Sequence, residues 1–234
     1  TCSEIQMTPD EFSALADQGY NRIPLVREVL ADLDTPLSAY LKLAEGPHSY
    51  LFESVQGGEK WGRYSIIGLP CRCLVRVSGQ RVAVERDGAL VEEVETADPL
   101  AWLQAFQDRF RVAAHPGMPR FTGGLVGYFG YDTVRYIEPR LGPCPNPDQI
   151  GTPDILLMVS DEVVVFDNLS GRMYIIVHLD PSAGDTLAKG EARVAELAGL
   201  MQRGAPRRSG GTGRTVGEAD FVSGFTQAGF EAAV

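Results

Sequence analysis

The sequence contains no uninterrupted apolar run of about 18 residues, the minimum length of a membrane-spanning helix. Its first 30 residues also lack the basic segment and apolar core that are typical of a secretory signal. From these two absences we expect a cytoplasmic protein without a membrane partner.

Positive charge is also scarce, because 21 Lys and Arg residues stand against 31 Asp and Glu residues, for a formal net charge of -10. Proteins that bind nucleic acids neutralise phosphates with Lys and Arg side chains. This balance argues against a nucleic-acid partner and against an anionic membrane surface.

Cysteine and histidine are sparse as well, with four and three residues respectively. The cysteines have no spacing typical of metal ligands, so we expect reduced thiols at Cys2, Cys71, Cys73 and Cys144. The histidines have no Cys or carboxylate at a sequence spacing typical of a metal or catalytic site, so we expect structural roles for His48, His115 and His178. No Ser, His and Asp arrangement for nucleophilic catalysis can be assembled.

What is present is an ordinary globular composition, with 44% hydrophobic and 22% charged residues. Capping signatures at Thr8, Thr35 and Asp98, each followed by Pro, predict three helix starts. Alternating runs at residues 71–77, 81–86 and 89–95, separated by Ser-Gly and Asp-Gly turns, predict an antiparallel meander. Residues 154–166 and 173–178 form another apolar strand pair, and residues 182–202 have helical periodicity.

The stretch of residues 49–69 is a hairpin whose first strand ends in Glu53 and Ser54. Side chains alternate along a strand, so neither face of this strand end is purely apolar. Gly57-Gly58 permits a turn, and Arg63 lies on the returning strand. A polar strand end beside a cation suits a small ligand that carries both charges.

The run of residues 121–132 contains four glycines, which indicate close backbone approach or a bend. It lacks the pattern of a phosphate-binding loop, so we do not expect a nucleotide site. Its aromatic residues are expected to be core or subunit-contact residues: Tyr128, Phe129 and Tyr131.

Several runs resemble anthranilate synthase component I, the chorismate-using subunit of tryptophan biosynthesis. Leu51-Phe52-Glu53-Ser54 is similar to the Leu-Leu-Glu-Ser motif near the start of that family. The likeness continues through residues 35–43, 62–68, 121–132 and 153–167, and it covers the family's amino-terminal domain. With the patterns above, it predicts an α+β fold in which an antiparallel β-sandwich carries flanking helices.

The resemblance implies a parent lyase that aminates chorismate and eliminates pyruvate to give anthranilate. It implies Mg²⁺ as cofactor and ammonia from a glutamine amidotransferase subunit, anthranilate synthase component II. The family's catalytic and Mg²⁺ residues correspond to positions beyond Val234, so none is expected in this chain, which alone should be inactive.

The resemblance also implies that Ser54 and Glu53 bind L-tryptophan, an allosteric feedback inhibitor. Arg63 is added because the hairpin places a cation near the ligand carboxylate. The alternative for Ser54 is a hydroxyl that only hydrogen-bonds to a neighbouring backbone group. The alternative for Arg63 is a solvated residue at the edge of a strand. Phe52 replaces the second Leu of the motif, which changes the width of the apolar pocket.

The expected organisation is a regulatory domain at residues 1–202, a flexible linker at 203–217 and a helix at 218–234. The linker is rich in Gly, Ser and Arg and offers no apolar core. The helix would run through Phe221, Phe225 and Phe230 without a closing signal and lead into an absent catalytic domain.

Two other functions fit the same residues. One is component I of aminodeoxychorismate synthase, a folate-pathway enzyme that also makes an amino derivative of chorismate. The other is an amino-acid-binding module that performs no chemistry. The product of the full-length gene would separate them.

Overall fold

The computed structural model describes residues 4–5, 7–31, 34–56, 60–115, 117–145, 148, 150–204 and 215–233. The strands are β1 (Glu4–Ile5), β2 (Ile23–Leu30), β3 (Tyr50–Gln56), β4 (Lys60–Gly68), β5 (Cys73–Ser78), β6 (Arg81–Arg86), β7 (Ala89–Glu95), β8 (Gly124–Phe129), β9 (Ile155–Ser160), β10 (Glu162–Asp167) and β11 (Arg172–Leu179). The helices are α1 (Pro9–Asp17), α2 (Pro36–Leu43), α3 (Pro99–Gln107), α4 (Val134–Ile137), α5 (Leu187–Met201) and α6 (Gln227–Ala233).

The first three long helices begin at the predicted caps. The Thr8 hydroxyl accepts a hydrogen bond from the Glu11 amide, and the Glu11 carboxylate accepts one from the Thr8 amide. Thr35 and Asp98 likewise accept from backbone amides at the starts of α2 and α3. Each cap satisfies a helix N–H group that would otherwise lack a partner.

The strands form two antiparallel sheets, which confirms the α+β class. A six-stranded sheet has the order β1-β2-β11-β10-β4-β3, and a five-stranded sheet has the order β7-β6-β5-β9-β8. The predicted meander of β5, β6 and β7 lies in the second sheet. Both sheets carry flanking helices, as expected.

Two core clusters lie between a sheet and its helices. On the six-stranded sheet, α2 and α5 cover strand residues such as Ile67 and Ile175, which are fully buried. On the five-stranded sheet, Leu103 and Phe106 of α3 pack against Val75 and its neighbours. The stripe of α3 predicted from helical spacing is therefore the surface that covers this sheet.

The apolar segment of residues 154–166 is divided between the two sheets. β9 belongs to the five-stranded sheet and β10 to the six-stranded sheet, and Asp161 alone separates them. β10 pairs with β11 as predicted, but β9 pairs with β5 and β8. A continuous apolar run gives no sign of such a division, because both strands are largely buried.

The glycine-rich run shows the expected close approach of backbones. A Cβ atom on Gly127 would lie 1.9 Å from the carbonyl oxygen of Leu156 on the adjacent strand. The aromatic residues that follow are exposed, with Tyr131 at 95%, Phe129 at 57% and Tyr128 at 40%. They are therefore not core residues of this chain, and a subunit contact stays a prediction.

The carboxyl-terminal segment differs from the predicted continuous helix. A short 3₁₀ turn covers Glu218–Asp220, and the α-helix starts only at Gln227. Between them the Ser223 hydroxyl accepts a hydrogen bond from the Phe225 amide, a local bond that competes with helix formation. Residues 205–214 of the predicted linker lie outside the described residues, and the division into domains stays a prediction.

Candidate functional site

The predicted motif lies on β3, which is an edge strand of the six-stranded sheet. Tyr50 is opposite Gly68 of β4, and Glu53 is opposite Ser65. The next pair is Val55 with Trp61, so Ser54 alone faces the three residues from Gly62 to Tyr64. This irregularity is a β-bulge on β4, and bulges commonly redirect side chains next to functional sites.

Along β3 the chain emerges from the core at the motif. Tyr50 is 8% exposed and Leu51 is partly buried, whereas Phe52 is 53% exposed and Glu53 is exposed. Both faces of the strand are therefore open at this end, as the mixed polarity of the sequence predicts. The side chain of Ser54 lies outside the described part of the chain.

Arg63 lies within the bulge and binds a buried carboxylate. Its Nε and Nη2 atoms donate to the two oxygens of Asp167 at 3.3 and 3.1 Å. The Arg63 side chain is 58% exposed and that of Asp167 is 5% exposed. A guanidinium has five N–H donors, so donors remain for a ligand carboxylate.

The carboxyl of Asp167 is held in its ionised form. Burial alone would raise its pKa, but the hydrogen bonds from Arg63 and from the Leu169 amide keep the pKa below its usual value. Arg63 is thus both an ion-pair partner and an exposed cation, rather than a purely solvated residue.

The turn between β10 and β11 holds the bulge in place. The Asn168 amide donates to the carbonyl of Arg63 at 2.8 Å, and its side-chain nitrogen donates to the Gly62 carbonyl at 3.0 Å. The same nitrogen lies 3.2 Å from the Ser65 hydroxyl. Sequence reasoning missed Asp167 and Asn168, because they lie more than a hundred residues from the hairpin and no motif marks them.

At the buried end of the motif strand, the Tyr50 hydroxyl lies 2.8 Å from the Ser160 hydroxyl of the other sheet. Burial raises the pKa of Tyr50 to about 12, so this phenol stays protonated. The ring of Tyr50 covers Gly68, where a Cβ atom would lie 1.9 Å from a ring carbon. The motif strand is therefore fixed at one end and open at the other.

The open end presents polar groups, but the described residues give no sign of a catalytic centre there. Glu53 supplies a carboxylate, Arg63 supplies spare donors, and an edge strand supplies unpaired backbone groups. No group of three or more His, Cys, Asp or Glu side chains within the described ranges could hold a metal ion. The described residues therefore offer no Mg²⁺ site, and the expectation that Mg²⁺ binds elsewhere stays a prediction.

Two thiols near the sheet junction are poor nucleophiles. Burial raises the pKa of Cys71 to about 11, and burial also raises the pKa of Cys73. Nucleophilic thiols need the thiolate, which these environments disfavour. Cys71, Cys73 and Cys144 are free, as expected for reduced thiols, and Cys2 lies outside the described residues.

Two cavities lie where the two sheets meet, with volumes of about 570 and 430 Å³. Neither Glu53 nor Arg63 lines either cavity. Both are lined by Arg22, Phe110, Val159, Asp161 and His178. Sequence reasoning assigned His178 a structural role and did not single out the charged residues.

The described helices include none that is long and apolar enough to cross a membrane.

No protein-family model matches the chain. Its sequence is 57% identical over 230 residues to anthranilate synthase component 1 of Pseudomonas putida, a match that covers 97% of this chain. The chain is a homologue of anthranilate synthase component 1.

Further relatives of this family are more distant. Anthranilate synthase component 1 of Neisseria meningitidis serogroup C is 52% identical over 194 residues, or 82% of this chain. The chain spans 47% of the length of the Pseudomonas protein and 39% of the Neisseria protein, so it corresponds to a part of anthranilate synthase component 1.

A solved structure shares the fold. The crystal structure of anthranilate synthase component I from Streptococcus pneumoniae TIGR4 matches with a TM-score of 0.50 and 24% identity, covering 76% of this chain and 37% of that one.

Proposed function

We propose that this chain is the amino-terminal, tryptophan-binding regulatory part of an anthranilate synthase component I. The parent enzyme would convert chorismate and ammonia to anthranilate and pyruvate in the cytoplasm, with Mg²⁺ bound by residues outside this chain. A glutamine amidotransferase subunit would supply the ammonia. The observation that carries the proposal is the 57% identity to anthranilate synthase component 1 over 97% of the chain.

The geometry of the hairpin supports the ligand class. A free amino acid carries an ammonium and a carboxylate, and the open end of the hairpin carries the Glu53 carboxylate on β3 and the Arg63 guanidinium on the adjacent β4. The exposed ring of Phe52 supplies apolar surface for an indole. Charge-assisted hydrogen bonds of this kind are the strong ones in protein sites.

Inhibition requires that tryptophan bind one arrangement of the parent enzyme better than another. The motif strand is suited to such coupling, because its buried end contacts the second sheet through Tyr50 and Ser160. A ligand bound at the open end would then favour one position of the motif strand, and the buried end of that strand would transmit the change to the rest of the domain.

The test uses the full-length gene product with chorismate, ammonia and Mg²⁺, followed by anthranilate fluorescence. We expect anthranilate formation that L-tryptophan inhibits, and a concentration for half-inhibition that rises about ten- to a hundredfold in Ser54→Ala, as expected for one charge-assisted hydrogen bond. Ser78→Ala, at an exposed serine that ends β5, is the matched control and should keep the wild-type curve.

Three results would contradict the proposal. An unchanged inhibition curve in Ser54→Ala would remove the assigned site. Formation of aminodeoxychorismate would identify the folate-pathway enzyme instead. Anthranilate formation by the 234-residue chain alone would overturn the placement of the catalytic residues outside it.

A further inference from the structure

The smaller cavity, of about 430 Å³, lies where β9 leaves the five-stranded sheet. Its volume is within the range of small-ligand sites, roughly 300–1,000 Å³. Apolar walls come from Phe110, Val112, Leu125 and Val159. One wall carries an ion pair, Arg22 with Asp161.

Arg22 is held rigidly at the base of this wall. Its side chain is 10% exposed, and the guanidinium lies 4.7 Å from the centre of the Phe110 ring. Its backbone amide donates to the Arg111 carbonyl, and its carbonyl accepts from the Ala113 amide. The segment after α3 therefore fixes the backbone from which the guanidinium projects.

Both side chains of this ion pair keep a hydrogen-bonding atom that the pair does not use. Arg22 Nε donates to Asp161 Oδ1 at 2.8 Å, and Nη1 donates to Asp180 Oδ2 at 2.8 Å and to the Asn21 carbonyl at 2.6 Å. Arginine and carboxylate frequently form two parallel hydrogen bonds. Here neither Arg22 Nη2 nor Asp161 Oδ2 has a hydrogen-bond partner among the described residues.

The local charge favours a ligand with an ammonium group. Two carboxylates, Asp108 and Asp161, line this cavity together with the single guanidinium of Arg22, so its charged side chains have an excess negative charge. Desolvation raises the pKa of Asp161. A cation at its free oxygen would therefore stabilise the ionised form.

We propose that this cavity binds a free α-amino acid with an apolar side chain. The ligand carboxylate accepts from Arg22 Nη2, and its ammonium donates to Asp161 Oδ2. The ligand side chain packs against the apolar walls. The excess negative charge weakens the binding of an anion that lacks an ammonium, and an amine that lacks a carboxylate leaves Arg22 Nη2 unsatisfied.

The larger cavity is less suited to such a ligand. Its wall cations include Arg72 and Arg193, whose guanidinium groups each make two hydrogen bonds to one carboxylate, Asp87 and Glu162 respectively. The lining of the proposed amino-acid site includes neither Glu53 nor Arg63, so its failure would leave the proposed function standing.

The test is calorimetric titration of the 234-residue chain with L-phenylalanine. We expect saturable binding with a Kd of about 1 mM or tighter, which corresponds to a few kcal/mol. 3-Phenylpropionate, which lacks the ammonium, and 2-phenylethylamine, which lacks the carboxylate, should each bind at least about tenfold more weakly. No saturable binding, or equal binding of either analogue, overturns the proposal.

Two variants locate the site. Asp161→Asn removes the ammonium partner and should weaken L-phenylalanine binding about tenfold or more. Val112→Trp fills the cavity from a side chain that is 50% exposed, so it tests the same site even where Asp161→Asn does not fold. Ser78→Ala, at an exposed serine that does not line the cavity, is the control and should keep wild-type affinity. Binding that is lost in Ser54→Ala but retained in Val112→Trp belongs to the motif surface and overturns this proposal alone.

Discussion

The hydroxyl groups of Tyr50 and Ser160 lie 2.8 Å apart and join the two sheets through their side chains. Tyr50 begins the motif strand, and Ser160 is the last residue of β9, next to the crossover at Asp161. Both residues are buried, at 8% and 1% exposure. The buried end of the motif strand is therefore coupled directly to the sheet junction.

Replacing Tyr50 by Phe should lower the free energy of unfolding by about 1–2 kcal/mol, because Ser160 would keep a buried hydroxyl without its partner. Urea denaturation of the purified chain measures the change. Tyr131→Phe, at a 95% exposed residue, is the matched control and should change stability by less than about 0.5 kcal/mol. Equal losses in both variants would contradict a buried, stabilising hydrogen bond.

Replacing Gly68 by Ala should destabilise the chain by about 1–3 kcal/mol, since the new methyl group would overlap the Tyr50 ring. Gly199→Ala is the matched control on α5, where an added Cβ atom meets nothing within 4 Å. That change should leave stability equal or raise it by up to about 1 kcal/mol.

A double-mutant cycle tests whether the overlap acts through the hydrogen bond. If the added methyl group displaces the Tyr50 ring and breaks its hydrogen bond to Ser160, the double variant should lose less unfolding free energy than the sum of the losses in Gly68→Ala and Tyr50→Phe. Strict additivity would show that the ring adapts without moving its hydroxyl.

Removing Arg63 should raise the pKa of Asp167. The hydrogen bond from Arg63 helps to hold this pKa low against the effect of burial. Carboxyl NMR titration of Arg63→Gln measures the shift, and Arg72→Gln, at the distant pair with Asp87, is the matched control. In wild type this carboxyl adds stability above about pH 4 that is lost on acidification, and the variant should lose that contribution.

His178 should make stability depend on pH near neutrality. Its Nε2 lies 2.9 Å from the Thr122 carbonyl oxygen, which can only accept, so Nε2 carries the proton in the neutral ring. Desolvation lowers the pKa of His178. The unfolded chain therefore binds the proton more readily, and this contribution to stability is complete above about pH 6.5 and falls as the pH drops below that value.

The charged groups around His178 are Arg22, Asp161 and Asp180. They remain in His178→Asn, so a comparison of the two proteins isolates the histidine. Between pH 7 and pH 5 the wild type should lose more unfolding free energy than His178→Asn does. His115→Gln should lose as much unfolding free energy as the wild type over this pH range. An equal loss in His178→Asn would contradict the assignment of the pH dependence to His178.

Local features of the fold could be predicted from the sequence. The caps at Thr8, Thr35 and Asp98 begin helices because each satisfies backbone groups within four residues. The pairing of β3 with β4 was likewise predictable, since period-two alternation acts over short distances, whereas the predicted turn at Gly57-Gly58 lies outside the described residues. The predicted helix from Glu218 shows the opposite case, because Ser223 bonds locally and no apolar surface covers its phenylalanines.

Long-range partners could not be predicted in this way. Arg63 and Asp167 are 104 residues apart, and Arg22 and Asp161 are 139 apart. Their pairing depends on how the sheets are assembled, and a single sequence contains no spacing signal for it. The charge on Arg63 was foreseen, but its carboxylate partner was not.

The order of the six-stranded sheet has a consequence for biosynthesis. β10 and β11, the last of its strands to leave the ribosome, lie at its centre between β2 and β4. A nascent chain shorter than Leu179 therefore holds two separate β-ribbons with unpaired edges, which other chains can bind. Closure of this sheet is delayed until most of the chain has been translated, and chaperone protection matters most during that interval.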